Sequence, residues 1–267
     1  MNIVITGGTS GIGKALVEKY FNQGDNIIIL ARSVEEGEIN KTNTNFVYGI
    51  KCDLASKVEI DSAFKIIGER FEKIDLIINN AGYGVSGATE LISENEARRI
   101  FDVNFYGTLF CIQNALPLMQ AGARIFNISS ACALFALPFR TLYCASKSAV
   151  SMLSDSIRLE LIKAGIYVSA ICPGDIKTNF TKNRVKNFET NQRYENRIQS
   201  ATDNIDKRED KRMSLEFASA KIFKITQKPK PKPQYIIGGK YKLLYFLSKI
   251  FPKNIFLKAT NSLMGGK

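Results

Sequence analysis

Tyr143 and Lys147 stand four residues apart in T-L-Y-C-A-S-K, so a helix through this stretch puts both on one face. The pair matters because the 267-residue chain has no histidine, the side chain that most often moves protons near neutral pH. A phenol with an ordinary pKa near 10 is a poor acid–base group at pH 7. A lysine ammonium beside it in a partly desolvated cleft, together with the positive charge of an oxidised cofactor, would stabilise the phenolate; lowering the pKa by about three corresponds to roughly 4 kcal/mol of differential interaction. Cys144 follows the tyrosine, but with no imidazole to activate it this position reads as a small spacer rather than a nucleophile.

A second constellation lies near the start of the chain. The apolar run Asn2–Thr6 leads into T-G-G-T-S-G-I-G, Thr6 to Gly13, and then into a helical pattern. Gly7, Gly11 and Gly13 permit positive φ and close backbone approach. Gly7, Thr9, Ser10, Gly11, Ile12 and Gly13 are therefore expected to cradle a dinucleotide pyrophosphate at a helix N-terminus. An acid at the end of the second strand would accept a hydrogen bond from a ribose 2′-hydroxyl. Here that place is Ala31, followed by Arg32, whose guanidinium suits a 2′-phosphate, so the expected cofactor is NADP(H) in preference to NAD(H).

These residues need a frame, and the chain supplies a regular one. Strands are expected at Asn2–Thr6, Asn26–Leu30, Asn45–Lys51, Ile74–Ile78, Arg124–Ile128 and Tyr167–Cys172. Helices are expected at Ser10–Asn22, Ser56–Arg70, from Ser93 to Gln120, and at Tyr143–Lys163, with Ser56…Glu59 and Ser93…Glu96 as capping boxes. Continuous apolar strands separated by helices imply an α/β fold, a doubly wound parallel sheet of Rossmann type covered on both faces. A single domain is expected over residues 1–237. Within it the Asn- and charge-rich segment 179–212 forms a solvated helical excursion, and Q-K-P-K-P-K-P (227–233) forms a stiff connector to an edge strand at Tyr235–Ile237.

The net charge of +12 is unevenly placed. Eleven lysines and no acid follow Glu216, leaving 26 basic against 25 acidic residues in the first 216 positions. Basicity confined to a tail argues against a nucleic-acid groove. Residues 238–267 instead read as a basic amphipathic helical extension, with Leu243, Leu247 and Ile250 at helical spacing, able to lie on an anionic membrane surface or to pack on a protein. Five scattered cysteines without histidine predict no metal site and a reducing compartment. No signal peptide or span-length apolar run is read, so a cytoplasmic protein is expected, with membrane-surface association as the tail's possible addition.

Taken in order, T-G-G-T-S-G-I-G, Asn79-Asn80-Ala81-Gly82, Y-C-A-S-K and Pro173-Gly174 with Thr178 resemble the motifs of the compact short-chain dehydrogenases/reductases. The likeness runs from residue 1 to about 180. It implies a carbonyl reductase, reversibly an alcohol dehydrogenase, in which Tyr143 donates the proton as hydride reaches the carbonyl carbon. Ser130 would hydrogen-bond the substrate oxygen, with its neighbour Ser129 as the alternative. Asn104 in F-D-V-N-F-Y-G would hold a water linking Lys147 to solvent. Asp53 and Leu54 would lie beside the adenine, and Asn80, Ala81, Gly82, Tyr143, Lys147, Pro173, Gly174, Ile176 and Thr178 against the cofactor. Residues 179–212 would be the substrate lid. Leu134, Phe135, Leu137 and Phe139 flank the substrate site in such proteins and suggest a lipid-, steroid- or retinoid-like carbonyl, with ordinary packing as the equal alternative. The resemblance also implies a homodimer or homotetramer. Two other classes stand beside this reading: an inactive NADP(H)-binding sensor or scaffold, and a peripheral membrane protein acting through its tail. The complete set of Ser130, Tyr143, Lys147 and Asn104 argues against the first.

Overall fold

The computed structural model describes residues 1–178, 180, 184–206 and 212–264. Parts of the expected lid (179, 181–183 and 207–211) and the tail residue Lys267 thus lie outside the described residues. In chain order the elements begin with β1 (Asn2–Thr6), α1 (Gly11–Phe21), β2 (Asn26–Ala31), β3 (Gly37–Lys41), β4 (Phe46–Lys51), α2 (Lys57–Phe71), β5 (Leu76–Asn79) and β6 (Val85–Ser86). They continue with α3 (Glu94–Phe101), α4 (Gly107–Ala115), β7 (Arg124–Ile128), α5 (Thr141–Glu160), β8 (Tyr167–Pro173), β9 (Val185–Lys186) and α6 (Arg197–Asp206). The chain closes with α7 (Leu215–Thr226), β10 (Gln234–Ile237), α8 (Gly239–Ile250) and α9 (Lys253–Met264).

Eight strands form one sheet in the order β10-β8-β7-β5-β1-β2-β4-β3, parallel except for β3. Alternate side chains of the central strands enter two cores. Val4, Ile28 and Ile77 meet Phe64 of α2, Cys111 of α4 and Ile157 of α5 on one face. Ile3, Ile5, Ile27 and Ile29 meet Leu16 and Tyr20 of α1 and Ile222 of α7 on the other. This two-sided burial is why the strands read as unbroken apolar runs. The fold is thus the expected Rossmann-like single domain.

Three elements differ from expectation. The antiparallel edge strand β3 was not foreseen, because G-E-I-N-K has one apolar residue and no inward face. The stretch from Ser93 to Gln120 is not one helix; a π turn at Asp102–Tyr106 separates α3 from α4, and a short 3-10 turn holding Pro117 follows. The capping box at Ser93 forms fully, whereas at Ser56 only half forms. The Glu59 carboxylate accepts instead from the Asp53 amide at 2.8 Å.

The proline connector is used rather than merely spanned. The carbonyl of Pro233 accepts from the Ala170 amide at 2.9 Å, and that of Lys232 accepts from the Ser169 hydroxyl at 2.7 Å, which seats β10 on the sheet edge. All five cysteines are free and buried, as core fillers should be. Among the described residues no helix is long and apolar enough to cross a membrane.

Ile77 lies in the middle of β5 with no exposed surface. Ile77→Ala is expected to lower the unfolding free energy by about 2–5 kcal/mol. Urea titration, with an unchanged slope and a lower midpoint, checks it.

Candidate active site

The sheet order reverses at β1 and β5, and the crevice at their carboxyl ends is where such folds bind ligands. Thr6 ends β1, and its hydroxyl accepts the amides of Asn80 at 2.9 Å and Ala81 at 3.0 Å. Asn80 Nδ2 donates back to the carbonyls of Thr6 at 3.0 Å and Gly7 at 3.3 Å. The glycine turn and the N-N-A-G segment are thereby fixed to each other. Gly7 and Gly11 have φ of 66° and 51°, which a side chain would strain, and a Cβ on Gly13 would overlap the Gly7 carbonyl oxygen. Ser10 precedes α1 without a side-chain cap, and the first turn of that helix holds no acid. Its terminal amides therefore remain open to an anion.

Arg32 is exposed at the rim after β2, and among the described residues no carboxylate lies within ion-pair distance of it. Asp53 is partly buried, which opposes ionisation. Its bonds from the Ala55 amide (3.0 Å) and Arg99 (3.1 Å) nonetheless hold its carboxyl below the usual range. Every expected catalytic and cofactor-binding residue, except Gly13 and Asn104, lies on the wall of a single cavity of about 1000 Å³. These residues fit a bound dinucleotide: a glycine cradle where positive φ or close backbone disfavours a side chain, an uncapped helix end and a base without an ion-pair partner among the described residues.

α5 carries Tyr143 and Lys147 on one face, and the end of β7 faces them. Lys147 is buried, and its Nζ donates to the Ile128 carbonyl at 2.9 Å. Burial pushes the ammonium down to about 8. Burial also pushes the Tyr143 phenol above its ordinary value, and Cys132 adds to this; the Ser130 hydroxyl and the Arg140 guanidinium pull the other way. The protein groups around the phenol do not by themselves lower it, because desolvation outweighs them; the expected lowering also counted on the positive nicotinamide of an oxidised cofactor. At neutral pH Tyr143 is a protonated phenol, suited to giving a proton away.

The two serines separate cleanly. Ser129 is committed to α5, its hydroxyl at 2.8 Å from both the Lys147 carbonyl and the Ser151 hydroxyl. Ser130 is the one whose hydroxyl acts on the phenol, and it also accepts the Cys132 amide at 3.1 Å. Asn104 sits on the π turn behind the cavity wall. Its Oδ1 accepts the Tyr83 amide and its Nδ2 donates to the Tyr83 carbonyl, both at 3.0 Å, with a further bond to Ser146 Oγ at 3.1 Å. A Cβ on Gly82 would lie 2.9 Å from Asn104 Oδ1 and 3.1 Å from Lys147 Nζ, so only glycine lets these elements meet.

The apolar wall expected from Leu134, Phe135, Leu137 and Phe139 does not form; none of the four lines the cavity. Phe135 meets Phe256 of α9 with ring centroids 6.2 Å apart, and Phe139 meets Tyr194 at 6.0 Å. Beyond Ser130 and Tyr143 the wall carries Cys132, Arg140, Asp175 and Phe180 instead, the Phe180 ring 5.8 Å from that of Tyr143. Sequence reasoning assigned none of these four to the site. The available signal was one arginine in an otherwise apolar A-C-A-L-F-A-L-P-F-R-T-L. The tail also contributes: Tyr241 of α8 donates to Asp175 Oδ2 at 2.6 Å and accepts the Asp175 amide at 3.1 Å. Its ring fills space left by Gly174 and Gly238.

The family model for short chain dehydrogenase matches residues 1–189. The chain belongs to the short-chain dehydrogenase/reductase family. It is accordingly an NAD(P)-dependent oxidoreductase acting on CH–OH or C=O groups. It is similar to a Helicobacter pylori protein named "Probable short-chain type dehydrogenase/reductase VdlC", 31% identical over 94% of this chain and 93% of the other. It is also 31% identical to 3-ketodihydrosphingosine reductase of Bacteroides thetaiotaomicron, over 92% of this chain and 91% of that one. A Burkholderia phymatum short chain dehydrogenase/reductase solved in complex with NAD shares the fold, with a TM-score of 0.78 at 21% identity over 96% of this chain and 94% of that chain.

Gly13→Ala drives a methyl group into the Gly7 carbonyl. It is expected to weaken nicotinamide cofactor binding by about tenfold or more, or at least 1.4 kcal/mol; fluorescence titration of the reduced cofactor checks this.

Proposed function

We propose that the chain is an NADPH-dependent carbonyl reductase, reversibly an alcohol dehydrogenase, whose substrate is a ketone or aldehyde with an apolar body. The observation that carries this reading is the convergence of Ser130, Tyr143 and Lys147 on one cavity that also holds the glycine turn. When bound, the nicotinamide supplies the hydride. Ser130 hydrogen-bonds the carbonyl oxygen and Tyr143 delivers a proton to it, a role that its raised pKa suits in the reductive direction. Lys147 is positioned by the Ile128 carbonyl, and Asn104 fixes the Tyr83 segment that passes beside it. Arg32 receives the 2′-phosphate; the missing acid at Ala31 and the absence of an ion-pair partner support this over NAD, the ligand held by the Burkholderia protein. Residues 179–212 serve as the lid, a reading supported by Phe180, Arg184 and Val185 lining the cavity, and Phe180 and Ile176 offer apolar surface. The sphingoid ketone in the Bacteroides relative's name is consistent with an apolar body.

A second reading concerns the tail. Leu243, Phe246, Ile250, Ile255 and Leu263 are exposed on two helices that contain lysines and no acid, and Phe251 is exposed in the link between them. This favours docking on an anionic lipid surface, with a second copy of the chain as the competing cover.

Tyr143→Phe is expected to lower turnover by ~10²–10⁴-fold while the reduced cofactor still binds. Arg32→Ala is expected to raise the NADPH KM roughly ten- to hundredfold, the worth of about 1.5–3 kcal/mol in charged hydrogen bonds, and to leave the NADH KM nearly as it was. An unchanged NADPH KM would overturn the cofactor assignment. Because burial lowers Lys147 to about 8, its charge is lost as pH rises through that value, and kcat/KM for reduction should fall on the same limb. A profile flat to pH 10 would contradict the role given to Lys147. For the tail, wild-type protein should co-sediment with phosphatidylserine-containing vesicles and Phe246→Ser/Ile250→Ser should not; equal recovery in the supernatant sinks the membrane reading.

A further inference from the structure

We propose that Arg140 recognises a carboxylate carried by the substrate near its carbonyl group, so that the substrate is an oxo acid. This deepens the carbonyl-reductase reading above and rests on it. Arg140 stands immediately before α5, about one helical turn ahead of Tyr143, and is only 6% exposed on the cavity wall. Its Nη1 reaches Cys132 Sγ at 3.9 Å, and the Cys132 amide donates to Ser130 Oγ at 3.1 Å. The guanidinium and the substrate-oxygen site therefore share one neighbour.

The decisive observation is which atoms remain unused. Arg140 Nε and Nη2 are buried and have no hydrogen-bond partner among the described residues. Those two N–H groups lie on the same edge of the planar guanidinium, the edge that holds a carboxylate in two parallel hydrogen bonds. Leaving such a charge half satisfied in a desolvated wall is costly, and ligand binding removes the cost. Among the described residues no protein group does so instead. Cys132 engages the other side of the fork, and Asp175, which acts on Arg140 through space, gives one oxygen to Tyr241 and makes no ion pair with Arg140. An ammonium-bearing ketone would meet a like charge at this position.

The test compares matched 2-oxo and 3-oxo carboxylic acids with their methyl esters, following NADPH oxidation by the full-length wild type, Arg140→Met and Arg140→Lys. Calorimetry of the corresponding hydroxy acids with the protein runs alongside. Wild type is expected to favour an acid over its ester by about tenfold or more in kcat/KM. Arg140→Met should cut that ratio by roughly ten- to hundredfold, chiefly through KM, with Arg140→Lys between the two and NADPH affinity equal in all three. A wild-type preference for esters or for an amino ketone overturns the proposal. So does an equal loss on acid and ester in Arg140→Met, which marks a structural role, or a loss of NADPH affinity, which marks a cofactor contact. If Arg140→Met does not fold, the wild-type acid-to-ester ratio decides alone. Turnover of neutral carbonyls without any acid preference sinks this inference and leaves the reductase reading standing. Absence of turnover on every carbonyl sinks that reading, and hydroxy-acid binding then decides whether the anion site exists.

Discussion

At the carboxyl end of β1 the hydroxyl of Thr6 accepts two amides from the segment after β5, and Asn80 returns two hydrogen bonds to the glycine turn. Strands β1 and β5 are neighbours, so helices and loops leave them in opposite directions around the sheet. Their ends would splay without a local tie. With it, a loop that must accept a bulky anion on its bare backbone keeps a fixed distance from the loop that leads to Tyr83 and Asn104. The glycines are then a geometric necessity: Gly7 and Gly13 touch across the turn, and Gly82 lies between Asn104 and Lys147.

The end of β7 organises the other half. Three consecutive residues do three different jobs: the Ile128 carbonyl accepts Lys147 Nζ, Ser129 binds the backbone of α5, and Ser130, on the cavity wall with the phenol, accepts the Cys132 amide. Because α5 is attached at Ser129 as well as at Lys147, the helix cannot slide without breaking buried hydrogen bonds. The electrostatics of the pair follow from the same burial. Desolvation lowers the lysine and raises the tyrosine, so both are biased toward their neutral forms before any ligand arrives. Burial alone keeps a proton on the phenol, and a positive cofactor charge would be needed to take it off in the oxidative direction.

Much of this was legible in the sequence because it depends on local backbone demands. Glycine spacing, N-N-A-G, the i, i+4 pair and the unbroken apolar strands each state a short-range requirement that few other residues meet. Where reading failed, the cause was non-local. The π turn that carries Asn104 interrupts a helix whose periodicity is otherwise intact, and nothing in D-V-N-F-Y announces the extra residue. Phe135 and Phe139 looked like pocket walls, but their partners come from α9 and from Tyr194, segments far along the chain. Arg140 was hidden by its neighbours: a single charge in an apolar stretch gains meaning only when its burial and its unused edge are seen.

Tyr241 has a mechanical consequence. Its ring sits in the slot between Gly174 and Gly238, and its hydroxyl grips Asp175 by two hydrogen bonds, so the first turn of α8 is keyed into the cleft wall. The helix runs on for 12 residues, about 18 Å at 1.5 Å per residue, with Leu244 and Leu247 half-buried along it and Phe256 of the next helix packed on Phe135. The exposed Phe246 and Ile250 thus stand on the same rigid element as the tyrosine that grips Asp175, on the cavity wall that also carries Arg140 and Tyr143.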